Sequence, residues 1–100
     1  MGLYLNFNDN KSGDQLATNL GWGEVGRWLA AVPEALCPDL HRLFQEGQAY
    51  QLKSLAGQIE LAMRTVPVSE NVRAILVGLV DTLEKAPKRA YKVWVSNGIS

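Results

Sequence analysis

Residues Gln51 to Ala86, QLKSLAGQIELAMRTVPVSENVRAILVGLVDTLEKA, hold the cleanest helical periodicity in the chain. Leu52, Leu55, Ala56, Ile59, Ala62, Met63 and Val66 recur at i, i+3, i+4 and i+7, which at about 100° per residue gathers them into one apolar stripe. Gln51, Lys53, Gln58, Glu60 and Arg64 fall off it. Pro67 lacks a backbone donor and clashes with the preceding turn, so the first helix is predicted to end near Thr65 or Val66. Ser69 follows as an N-cap, with Glu70 placing a carboxylate where the next helix dipole is positive. Val72, Ile75, Leu76, Leu79, Val80 and Leu83 make the second stripe, and Lys85 and Pro87 mark its end. The prediction is two antiparallel helices joined by a short turn. Leu61 and Val77 project from their reverse sides, about 180° from Leu52 and about 140° from Val72. A second contact is implied there, which the rest of the domain is expected to supply.

Outward from this pair, both ends of the chain read as strands. Leu3, Leu5 and Phe7 alternate with Tyr4, Asn6 and Asn8, and Tyr91, Val93 and Val95 alternate with Lys92, Trp94 and Ser96. Asn8 through Asp14 is a turn-forming cluster, after which Gln15 to Thr18 returns as a short strand. Thr18 or Asn19 caps a helix running to about Val32, with Trp22, Val25, Leu29 and Val32 as its buried stripe and Trp28 on its flank. Pro33 and Pro38 break the next stretch into a short helical turn and a helix in which Leu40, Leu43 and Phe44 share a face. Gly47 ends that helix as a left-handed cap. The fold class is therefore α+β, a single domain over residues 1–100. A small antiparallel sheet of two or three strands (about 3–8, 15–18 and 90–96) packs on about four helices (about 22–32, 38–46, 51–66 and 70–86).

Composition narrows the function classes. One hundred residues, 47% hydrophobic and 20% charged, are those of an ordinary soluble domain. There is no apolar run of membrane-spanning length and no basic-then-apolar leader, so a cytoplasmic location without membrane association is expected. Met1-Gly2 is not a lipidation signal, because Asn6 stands where Ser or Thr is required. The single cysteine, Cys37, can form no internal disulfide. Formal net charge is zero, so no global field draws the chain toward nucleic acid. The charge is uneven, with Lys85, Lys88, Arg89 and Lys92 following Glu84 without an intervening acid.

Four local patterns carry candidate chemistry. Gly21-Trp22-Gly23-Glu24-Val25-Gly26 spells G-x-G-x-x-G, but no apolar strand precedes it and no acid-bearing strand follows, so close packing beside Trp22 accounts for the glycines and no dinucleotide cofactor is expected. Asn8-x-Asn10-x-Ser12-Gly13 echoes a calcium loop without its carboxylates. Cys37, ahead of a helix beginning at Pro38, lies where the dipole lowers a thiol pKa, with His41 one turn on; this would suit a thiol-dependent enzyme. Neither a second ligand cluster nor an oxyanion site accompanies it, so no metal and no catalytic residue is assigned. The basic run from Lys85 to Lys92 with Tyr91 and Trp94 matches the way sheet platforms hold single-stranded nucleic acid.

The turn Thr18-Asn19-Leu20-Gly21-Trp22, Trp28, and Pro38-Asp39-Leu40-His41-Arg42-Leu43-Phe44 resemble a group of small uncharacterised bacterial proteins, in which a strand pair leads through a Thr-Asn-x-Gly-Trp turn into helices. The resemblance implies a bacterial, cytoplasmic protein and transfers neither activity nor site residues.

If Leu3, Leu5, Phe7, Val93 and Val95 face the helices, period two sends Tyr4, Asn6, Lys92 and Trp94 to a face with no covering layer. The opposite facing turns Trp94 inward. The first arrangement predicts a small non-catalytic protein that binds a protein partner or itself as a homodimer through Tyr4, Asn6, Lys92 and Trp94, extended by Trp28. The alternative is a nucleic-acid-binding module on the same face, and the third is the thiol chemistry of Cys37.

Overall fold

The computed structural model describes residues 2–7, 10–86, 88 and 90–97. Strands β1 (Gly2–Phe7) and β2 (Asn10–Thr18) lead into α1 (Asn19–Leu29), a 3₁₀ turn at Glu34–Leu36 and α2 (Pro38–Glu46). Strand β3 (Gln48–Ala49), α3 (Leu52–Thr65), α4 (Glu70–Glu84) and β4 (Val93–Asn97) complete the order. The strands form one antiparallel sheet in the order β2-β1-β4-β3.

The sheet thus holds four strands, against the two or three expected. Strand β3 is the addition. Gly47 takes φ 75° at the end of α2, and its carbonyl accepts from the Val95 N–H at 2.9 Å, turning the chain directly onto the edge of β4. Two residues are too few to leave a period-two signal. Strand β2 begins at Asn10, not at residue 15. Its register against β1 slips between Leu3 and Tyr4 and again between Tyr4 and Asn6, so nine residues lie beside six. Bulges in an edge strand interrupt the ladder and so admit Ser12, Gly13 and Asp14, residues that read as a turn. Asn8 and Asp9, where the hairpin and calcium-loop readings begin, lie outside the described residues, as do Pro87 and Arg89.

The helices follow their caps. The Thr18 hydroxyl accepts from the Gly21 N–H at 3.0 Å, which starts α1 at Asn19 instead of residue 22; Ala30 to Val32 form a turn beyond its end. The Ser69 hydroxyl accepts from the Val72 N–H, and the extended Val66 before Pro67 separates α3 from α4. Leu5, Phe7 and Val93 from the sheet join Val25, Leu40, Leu43, Leu55, Ile59, Leu76 and Leu79 from the helices in one buried cluster. Trp22, expected in this stripe, is half-buried and stacks on Phe44 with ring centroids 4.2 Å apart. The G-x-G-x-x-G glycines lie inside α1, and two of them admit neighbours. A Cβ on Gly21 would stand 2.9 Å from Ile75 Cδ1, and one on Gly26 would stand 3.2 Å from Phe44. Contrary to expectation, the described residues leave the reverse sides of the central hairpin exposed at Leu61, 41%, and at Val77, 52%.

Candidate functional site

The open face of the sheet is built by alternation about its central strands. Phe7 pairs with Val93 and Val93 with Ala49, all buried, so the neighbouring row, in which Asn6 pairs with Trp94 and Trp94 with Gln48, lies on the other side. Tyr4 and Ser96 form the next row on that side. Trp94 is half-buried and lies outside the hydrophobic core, which places it on the open face. The Lys92 ammonium stands 5.4 Å from the centroid of the Trp94 ring and 5.8 Å from that of Tyr50. One cation therefore spans two aromatic rings, an attraction of about 0.5–1 kcal/mol per ring at exposed sites. Tyr50 is 45% exposed.

Asn6 differs from its expected role as an exposed contact. It is 4% exposed, and its Nδ2 donates to Ser96 Oγ at 2.8 Å, with longer approaches to the carbonyls of Trp94 and Tyr4. On a central strand, this short side chain cross-links β1 to β4 and holds the floor of the face. Trp28 does not extend the face. It packs against the helical core, and its indole N–H donates to the Pro67 carbonyl at 3.0 Å, linking α1 to the α3–α4 turn. Tyr4, Asn6 and Trp94 share this side of the sheet, with Lys92 against the Trp94 ring. Sequence reasoning missed Gln48 and Tyr50 because the first opens a strand of only two residues directly after a helix cap and the second lies just beyond that strand; the alternation Gln48, Ala49, Tyr50 was the one available signal.

The described bases of the Lys85–Lys92 run point to three different places. Lys85 pairs with Asp81 at 3.0 Å, Lys88 lines a groove beside α3, and Lys92 lies on the sheet. The thiol expectation is also corrected. Cys37 lies within the core at 0% exposure, and burial pushes its pKa up from 9.0 to about 11, opposite to the expected helix-dipole effect. His41 Nε2–H donates to the Val32 carbonyl at 3.0 Å. Iodoacetamide at pH 8 is expected to leave folded Cys37 unmodified and to alkylate it once the chain is unfolded in denaturant; rapid native labelling would show an accessible thiolate. The raised pKa also sets a sign. The unfolded thiol loses its proton first, so this group's contribution to stability falls as pH rises from about 9 to about 11, a loss that Cys37→Val removes.

No group of three metal-ligating side chains occurs among the described residues, and no helix there is long and apolar enough to cross a membrane. Compared with known proteins, the chain matches no family, no curated protein and no solved structure.

Proposed function

We propose that the chain is a small, non-catalytic interaction protein that docks a protein partner on the open sheet face, with Trp94, Tyr50 and Lys92 as its centre and Tyr4 beside them. One observation carries this reading: the Lys92 ammonium lies over the Tyr50 and Trp94 rings on a face outside the core. Rings held on a strand and at a strand end lose little entropy on docking, and Trp and Tyr dominate binding energy where they are desolvated by a partner. The nucleic-acid alternative draws less support, because Lys85 is directed to Asp81 and Lys88 to another surface, which divides the positive charge such a module needs. A bacterial, cytoplasmic setting is proposed on the Thr18–Trp22 turn alone.

The test is capture of partners with the tagged wild-type chain and with Trp94→Ala. A stoichiometric protein partner is expected, with affinity falling by about 30-fold in the variant, the effect of a hot-spot side chain worth about 2 kcal/mol. An unchanged complex overturns the reading. Binding of single-stranded nucleic acid that weakens steeply with salt would favour the alternative.

A further inference from the structure

The α3–α4 hairpin leaves a groove between its helices and the segment leading to β4. Its volume is about 570 Å³, and Leu52, Ala56 and Ala90 give it an apolar lining. A shallower cleft of about 360 Å³ continues it along the hairpin past Met63 and Val77. Lys53 and Lys88 border only the first cavity, whereas Glu60 and Glu84 border both. The bases therefore stand toward one end and the acids where the cavities meet. Among the described residues none of these four side chains makes an ion pair, and all four are exposed.

An apolar groove with a basic end and an acidic stretch is its own complement. Turned by 180° about an axis across the hairpin, Lys53 and Lys88 of one copy meet Glu60 and Glu84 of another. Zero net charge adds no global repulsion to this encounter. We propose that the α3–α4 groove seats the α3–α4 hairpin of a second copy of this chain, giving a two-fold symmetric helical dimer. Gly57 on the groove wall fits this role. A Cβ there would meet nothing within 4 Å, so the fold itself does not require glycine, although mid-helix glycine costs about 1 kcal/mol relative to alanine. Its missing side chain leaves room for a second backbone. The groove shares no residue with the sheet face.

Sedimentation equilibrium over a concentration series tests the proposal. Wild-type chain is expected to reach twice the mass of one chain. Glu60→Lys with Glu84→Lys, and separately Lys53→Glu with Lys88→Glu, are each expected to weaken self-association at least about tenfold by placing like charges opposite each other. An equimolar mixture of the two reversed proteins is expected to associate again, since each then meets the opposite sign. Val77→Ser should also weaken the dimer, and Trp94→Ala should leave it unchanged. A wild-type chain that stays monomeric, a dimer indifferent to both reversals, or a mixture that fails to reassociate overturns the proposal.

Discussion

Leu76→Ala is expected to lower the unfolding free energy of the monomer by about 3 kcal/mol, whereas Val77→Ala, one residue along the same helix, should change that of the monomer by less than about 0.5 kcal/mol. Leu76 is 0% exposed and Val77 52% exposed. Helix α4 contacts α1, α3 and β2, so the Leu76 side chain is enclosed by several elements that cannot all move inward to refill its volume. The loss then combines the transfer of the deleted carbons with a residual cavity. For a domain of this size, about 3 kcal/mol corresponds to a fall in Tm of about 12–24 °C. Thermal unfolding of the two variants, side by side, measures this contrast. Equal effects would mean that α4 presents a different face to the core.

The same contrast shows how much the sequence revealed. The stripes of α3 and α4 were legible because a helix records its buried face every three or four residues over many turns: Leu55, Ile59, Leu76 and Leu79 are each fully buried. The caps Ser69 of α4 and Gly47 of α2 were legible for stereochemical reasons. The alternation of Leu5, Phe7 and Val93 separated the two sides of the sheet but left open which of them faces the helices; burial puts these three on the core side, opposite Tyr4 and Trp94. What escaped depended on partners distant in sequence. Strand β3 exists because α2 stops beside β4, and the extra length of β2 because bulges absorb three residues of turn chemistry; neither leaves a local period. Asn6 was read as a surface contact since no local pattern places Ser96 within reach of its amide. Cys37 was assigned a lowered pKa because the helix start is visible in sequence while the apolar packing that opposes it is not.

A dimer through the helical groove would carry two sheet faces. Binding to a partner that presents two copies of its own site would then gain from effective concentration without any new contact. Trp94→Ala and the charge reversals of the groove separate the two surfaces, because the first acts on each binding event and the second on how many are linked.

Gln58→Ala should cost about 3 kcal/mol, close to the loss of a core leucine, although it removes a polar side chain. The Gln58 amide donates from Nε2 to Asp39 Oδ2 at 2.7 Å and to Ser54 Oγ at 2.8 Å, and its Oε1 accepts from the Asp39 backbone N–H at 2.9 Å. Asp39 is 9% exposed in the first turn of α2, where the helix dipole favours a carboxylate. Truncating Gln58 strands both a buried carboxylate and a helix-terminal N–H, and an abandoned charged group costs more than a pair of neutral ones. Asp39→Ala alone should cost less, because it leaves only neutral groups unpartnered. The double variant should therefore be more stable than the sum of the two losses predicts, by about 1.5 kcal/mol. Urea midpoints for the wild type and the three variants close this cycle. Additive losses would show that the bridge between α2 and α3 contributes no specific energy. A coupled result would show that these two side chains, nineteen residues apart, fix the first turn of α2 against α3, at the opposite end of the helix from the Gly47 cap.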